Sequence, residues 1–281
     1  MKTLKYSLIL LISVLFVTAS FAQTLLKEQT VQTNFGKNLK VSVPAGDVKI
    51  TTWSKEEVYV KITGNDEAIN KYDFTINSNS GDVEVKAEPK NGDNAKNISL
   101  NVEVSVPEKF NTSVSTAGGD IKIENSLTGD IKFNTAGGDI SVSSVSGKCV
   151  LNTAGGDVFV QNFSGDIKVN TAGGDIILNG SDGIVKVNTA GGKIDLKYSG
   201  ENKGTEINTL GGDIDLTIPS GFTADCKLTT MSGDIKSDIA IEGSKDKKKT
   251  EGIRSIKGKM NGGGNVLKCS TMGGNINIHT L

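Results

Sequence analysis

The residues able to do chemistry in this chain recur in columns rather than in clusters. An aspartate directly follows a glycine turn at Asp120, Asp139, Asp157, Asp175, Asp213 and Asp234, and Lys193 stands where the spacing calls for another. Carboxylates stacked on one face repel unless something neutralises them, so calcium is the first chemistry to weigh. The calcium-bound β-roll is built from Gly-Gly-x-Gly-x-Asp nonapeptides. Here the Asp follows Gly-Gly directly, the second spaced Gly is missing and Lys193 breaks the column. The expectation is a solvated turn column partly balanced by outward lysines, with no metal site and no cofactor.

A second column is basic. Lys132, Lys168, Lys186 and Lys227 fall at one outward position per repeat, interspersed with Val150, Glu206 and Lys268. Stacked lysines on a slightly acidic protein form either a solubilising face or a contact for a linear polyanion, such as an envelope or extracellular polysaccharide. At a strand spacing of about 4.8 Å the four lysines would span roughly 25 Å. A smaller feature, Phe159 beside Ile177 in the next repeat, makes an outward apolar patch.

Catalysis has little to work with. Glycan cleavage asks for a cluster of Asp, a calcium site with a cationic side chain, or paired carboxylates with a supporting His. The chain has one Arg, Arg254, and one His, His279, which reads as an exposed tail residue. Cys149, Cys226 and Cys269 fall on inward positions, where an apolar setting raises a thiol pKa and leaves it inert. Cys149 and Cys226 stand four repeats apart and Cys226 and Cys269 lie on a diagonal of about 8 Å, too far for a disulfide. Three buried free thiols and no catalytic residue are expected.

The elements that position these columns come from an internal repeat. Thr116-Ala-Gly-Gly-Asp-Ile121 recurs from Thr135, Thr153 and Thr171 and, as variants, from Thr189 (Thr-Ala-Gly-Gly-Lys-Ile), Thr209 (Thr-Leu-Gly-Gly-Asp-Ile), Thr230 (Thr-Met-Ser-Gly-Asp-Ile) and Thr271 (Thr-Met-Gly-Gly-Asn-Ile), at intervals of 18 to 21 residues with one longer gap. A weaker turn falls midway, as at Gly129-Asp130, Gly147-Lys148, Gly165-Asp166 and Asp182-Gly183. Each unit is strand, glycine turn, strand, looser turn. Alternation with period two places Ile131, Cys149, Ile167, Val185, Thr205, Cys226 and Leu267 inward in one column. Ile121, Ile140, Val158, Ile176, Ile194, Ile214, Ile235 and Ile276 do the same on the second strand. The predicted architecture is all-β: a flattened β-helix or β-roll solenoid of about 18-residue coils, stabilised by stacking. The Gly-Gly pair reads as a tight reversal at positive φ. Asn134, Asn152, Asn170, Asn188 and Asn208 are expected to stack in a hydrogen-bonded ladder.

The ends differ from the middle. Residues 1–22 carry a basic start, an apolar run from Leu8 to Val17 and small residues before Gln23, the pattern of a secretory signal. The run is short for a membrane anchor, so a mature chain without a transmembrane segment is expected, located in the periplasm, at the cell surface or outside the cell. Removing Lys2 and Lys5 takes the formal charge from -1 to -3, which gives no reason to expect nucleic acid as a partner. Residues 23–110 form an irregular N-terminal β region and cap, and 111–281 the repeat region. A Lys-rich insertion at 237–261, containing Lys245-Asp-Lys-Lys-Lys249, discourages edge-to-edge association.

Val43-Pro-Ala-Gly-Asp-Val-Lys-Ile-Thr-Thr-Trp53, Glu57-Val-Tyr-Val60, the repeated Gly-Asp-Ile turns and Asn261-Gly-Gly-Gly-Asn-Val-Leu267 give the chain a family likeness. It resembles the bacterial putative-adhesin β-solenoid family, a domain of unknown function of Gly-Asp-Ile repeat type. That resemblance implies a cell-envelope or extracellular protein and carries over no catalytic residue. The resulting reading is a non-enzymatic exported binding module, adhesion-type or structural. The alternatives are a carbohydrate-active β-helix enzyme and an envelope regulatory or stress accessory protein.

Overall fold

The computed structural model describes residues 23–90, 98–243 and 253–281. Apart from one short helix, the regular elements of the described chain are all strands, arranged in two long sheets of twelve strands (sheet A) and thirteen (sheet B). Its N-terminal part contains β1 (Thr24–Gln32), β2 (Asn38–Ser42), β3 (Asp47–Trp53), β4 (Glu57–Gly64), the short helix α1 (Asp66–Lys71), β5 (Tyr72–Asn79), β6 (Asp82–Pro89) and β7 (Leu100–Pro107).

The repeats then alternate between the sheets. Sheet B takes β8 (Asn111–Ser115), β10 (Ile131–Asn134), β12 (Cys149–Asn152), β14 (Ile167–Asn170), β16 (Val185–Asn188), β18 (Thr205–Asn208) and β20 (Ala224–Thr230). Sheet A takes β9 (Ile121–Thr128), β11 (Ile140–Ser146), β13 (Val158–Ser164), β15 (Ile176–Ser181), β17 (Ile194–Tyr198), β19 (Ile214–Ile218) and β21 (Ile235–Ser237). The chain finishes with β22 (Ile241–Glu242), β23 (Arg254–Met260), β24 (Val266–Thr271) and β25 (Ile276–Thr280). Neighbouring repeat strands run parallel, pairing Ile131 with Cys149, Cys149 with Ile167 and Ile167 with Val185. The result is a β-solenoid-like stack.

The strand period decides what is buried. In β10, Ile131 and Phe133 point between the sheets while Lys132 points to water. Ile121, Ile140, Val158, Ile176, Ile194 and Ile214 form the facing column, each essentially without solvent exposure. One coil cannot cover its own apolar face, so each repeat is stabilised by the repeats above and below.

Stack order departs from chain order at both ends. The predicted columns run from Thr205 to Cys226 to Leu267, but in the structure Leu267 pairs with Thr205 on one side and Cys226 on the other. The last coil, β24 and β25, is inserted between β18–β19 and β20–β21. At the other end β2 and β3 lie between β6–β7 and β8–β9. Chain ends fray unless tied down, and this interleaving places the last coil one layer inside the stack. The outermost layers switch to antiparallel pairing, β4 on β7, β1 on β4 and β5 on β6 at one end and β23 on β20 at the other. Thus part of the 237–261 insertion is itself strand, extending sheet B; Lys245–Lys249 lie outside the described residues.

The Gly-Gly turns also have a different cause from the one expected. Positive φ is found at the looser turn, in Gly129, Gly147 and Gly165, and not at the Gly-Gly pairs of the repeats. There the second glycine is required by close stacking. A Cβ on Gly138 would lie 2.1 Å from the Gly119 carbonyl oxygen, and one on Gly156 would lie 2.0 Å from that of Gly138. Thr135 locks the same approach: its hydroxyl donates to the Gly119 carbonyl at 2.9 Å and accepts the Gly138 amide at 3.2 Å. The asparagine ladder stands as read, with the Asn152 amide donating to Asn134 at 2.9 Å and that of Asn170 to Asn152 at 2.7 Å.

Candidate functional site

The aspartate column is a structural ladder. Asp120 Oδ1 accepts the backbone N–H of Asp139, Asp139 that of Asp157, Asp157 that of Asp175 and Asp175 that of Lys193, at 2.7 to 2.8 Å. Near the C-terminal end Asp213 serves Asn275, and Asn275 serves Asp234. Backbone amides, rather than the outward lysines expected, therefore meet most of these carboxylates, and the same device recurs at the looser turn, where Asp130 accepts from Lys148 and Asp166 from Ile184. Arg254 forms an ion pair with Asp234. Among the described residues no group of three or more His, Cys, Asp or Glu side chains is arranged to hold a metal ion.

His279 lies within β25, half-exposed, with Nδ1 3.4 Å from an Asp238 carboxylate oxygen. The three cysteines are free and buried. Burial pushes the Cys149 thiol far above its ordinary pKa, that of Cys226 up to about 11 and that of Cys269 up to about 12. Because the last coil is inserted, Cys149 and Cys226 are five strands apart rather than four.

The lysine column maps onto the outer face of sheet B as one row. Successive register partners are Glu84, Lys40, Ser113, Lys132, Val150, Lys168, Lys186, Glu206, Lys268 and Lys227. Two acidic residues neutralise their neighbours: Glu84 meets Lys40 at 2.9 Å and Glu206 meets Lys268 at 2.5 Å. The Lys268 ammonium holds the Glu206 carboxyl below its ordinary pKa. Lys132, Lys168 and Lys186 remain exposed, and among the described residues they form no ion pair. The structure thus brings these three together over three strand steps, or about 14 Å. It sets Lys227 apart beyond Glu206 and Lys268, so the row from Lys132 to Lys227 covers six steps, about 29 Å rather than 25.

A further cation joins the group. Lys148, read from sequence only as part of the looser turn, lines two adjoining shallow hollows on this face. One, of about 430 Å³, also has Lys40, Lys132, Asp130 and Val150 in its walls. The other, of about 240 Å³, has Lys168, Lys186, Asp166 and Ile184. Both aspartates are occupied by the amide ladder. Ser113 and Val150, both shorter than the lysines beside them, line the first hollow. On the opposite sheet, Phe159 and Ile177 are register partners, each about two-fifths exposed.

No helix among the described residues is long and apolar enough to cross a membrane. No curated protein matches the chain. Among solved structures, a putative lipid binding protein from Parabacteroides distasonis aligns at a TM-score of 0.46 and 15% identity, over 90% of this chain and 96% of that one. A putative adhesin from Bacteroides fragilis aligns at 0.36 and 14%, over 93% and 99%. A putative cell adhesion protein from Clostridium sporogenes aligns at 0.28 and 17%, over 91% and 99%. The model of the Toastrack DUF4097 family matches residues 37–279, the whole interleaved stack from β2 to the last strand, and the chain belongs to that family.

Proposed function

We propose that this protein is a non-enzymatic exported β-solenoid, an adhesion-type or structural binding module of the cell envelope. In this reading residues 1–22 are a secretory signal, 23–110 an N-terminal β region and cap, and the coils of about eighteen residues a rigid platform. Its ligand is an anionic envelope or extracellular polysaccharide lying along the outer face of sheet B. The observation that carries the proposal is the row of exposed Lys132, Lys168 and Lys186, joined by Lys148 around two adjoining hollows. Three ammonium groups in one register row on parallel strands, with Lys148 at the adjoining turn, present an array of positive charge on a chain whose net charge is -1. A linear polyanion satisfies several of them at once.

Such contact is mainly electrostatic and weakens as salt shortens the Debye length to below about 10 Å. Two measurements test the reading. Cell fractionation with surface-protease accessibility should find the protein in the envelope or outside the cell, and a cytoplasmic location would refute it. Purified protein should bind an acidic polysaccharide at low salt and release it near 0.5 M salt; acidic-polymer binding that does not weaken with salt would contradict the electrostatic face.

A further inference from the structure

A hollow of about 1000 Å³ lies not on the lysine face but at the corner where the repeat breaks down. It is walled by Asp182, by residues 199–203, by Pro219, Gly221, Phe222 and Thr223, and by Gly264 and Asn265. These segments come from four layers that are consecutive in space only because β24 is inserted between β18 and β20. From this geometry we propose a second binding site, for a neutral saccharide.

The floor is rigid. Asn202, only 5% exposed, donates from its side chain to the Thr223 and Asn265 carbonyls, at 3.2 and 2.6 Å, and accepts the Gly204 amide at 2.9 Å. Asn265 answers by donating to the Asn202 carbonyl at 2.8 Å. Three loops are thereby tied together before any ligand arrives, which lowers the ordering cost of binding. Beneath them Tyr198 packs edge-on to Phe222; its hydroxyl accepts the Gly183 amide at 3.2 Å and shares its one proton between the Gly183 and Glu201 carbonyls, at 3.1 and 3.0 Å.

The rim is shaped for contact. Between the register pairs Ser164–Ser181 and Ile167–Val185, one coil uses two residues and the next uses three. The extra corner residue is bracketed by Asp182, which adopts φ +64°, a conformation uncommon outside glycine. Ser181 donates to its carboxylate at 2.5 Å. Gly221 on the far wall has ordinary φ and nothing within 4 Å of where a Cβ would sit, so neither backbone conformation nor packing within this chain demands glycine there.

The lining selects the ligand class. Glu201 and Lys203, both in the lining, pair with each other at 3.3 Å, which leaves the Asp182 carboxylate as the charge that disfavours an anion. No metal-holding cluster exists among the described residues, which leaves a carboxylate, loop peptide groups and the Ser199 hydroxyl oxygen, whose proton goes to the Gly180 carbonyl at 3.4 Å and which still accepts, as hydrogen-bonding partners. Closely spaced acceptors and donors of this kind match the vicinal hydroxyls of an uncharged sugar, in a hollow of the size that takes two or three rings.

The test is calorimetric titration of the full chain with neutral tetrasaccharides of glucose, xylose, mannose and N-acetylglucosamine. At least one should bind saturably, with affinity unchanged between 50 and 500 mM salt. Gly221→Trp, which fills the hollow, and Asp182→Asn, which keeps a residue tolerant of positive φ, should each weaken it at least tenfold while leaving the melting temperature unchanged. If Gly221→Trp misfolds, Asp182→Asn alone decides. Replacing Lys132, Lys168 and Lys186 by Gln should leave sugar binding intact, which separates this site from the polyanion face. Absence of binding by all four sugars at millimolar concentration, or parent-like affinity in Asp182→Asn, would overturn the proposal.

Discussion

Asp139 and Asp157 stand one coil apart, and the Asp139 carboxylate accepts the backbone N–H of Asp157 at 2.7 Å. A column that looks from sequence like a row of unneutralised charges is thus a set of hydrogen-bond acceptors joining each turn to the next. The charge itself is dispensable, because Asn275 fills the same place by accepting from Asp234. Asp139→Asn should be nearly neutral, whereas Asp139→Ala removes the acceptor and should cost about 1 kcal/mol in chemical denaturation. Chelators should leave both proteins' melting temperatures unchanged; a calcium-reversible drop would mean the column holds an ion.

The two glycines of one turn should behave differently. A Cβ at Gly155 lies 3.9 Å from its nearest neighbour, but a Cβ at Gly156 meets the Gly138 backbone at 2.0 Å. Gly155→Ala should be tolerated, and Gly156→Ala should destabilise by about 1–3 kcal/mol through forced separation of coils. Equal effects would show that conformational freedom, not close approach, selects both.

The C-terminal coil should not behave as a removable end. Leu267, Cys269, Ile276 and Ile278 are buried between neighbouring layers, so deleting residues 266–281 takes a layer from inside the stack. Hydrogen exchange should show loss of protection throughout β20 and β23, and the melting temperature should fall by roughly 10 °C or more. A truncated protein that melts within a few degrees of the parent would contradict the interleaved order.

The thiols carry a pH dependence of known sign. Burial raises Cys226 to about 11 and Cys269 to about 12, above the unfolded value of about 8.5, so the folded state keeps its protons longer. Their contribution to stability is fully present below about pH 8.5 and is lost as pH rises through the folded values. Maleimide labelling at pH 7 should therefore be slow in native protein and complete after denaturation, and native stability should decline between about pH 9 and 11. Rapid labelling of Cys149 in the native state would show that its column is not buried.

Much of this was legible in the sequence. Period-two alternation gave the inward columns through Ile131 and Ile176, and the Asn134 to Asn208 ladder followed from fixed spacing. The insertion of Leu267 between Thr205 and Cys226 was not, because every turn carries the same signature and local residues encode contact with a neighbour without naming which neighbour. For the same reason the 199–204 and 264–265 loops could not be brought together in advance. The lysine row was visible, but the isolation of Lys227 and the contribution of Lys148 depended on stack order.

The central claim is that a cationic row on sheet B recognises a polyanion, and its most direct test is the affinity of an acidic polysaccharide for the parent and for a variant with Lys132, Lys148, Lys168 and Lys186 all changed to Gln. These side chains reach into solvent, so the variant should keep the parent's melting temperature. The account predicts at least a tenfold loss of affinity at 50 mM salt and a flatter salt dependence, with Lys227→Gln alone changing little. Parent-like binding by the quadruple variant would contradict it.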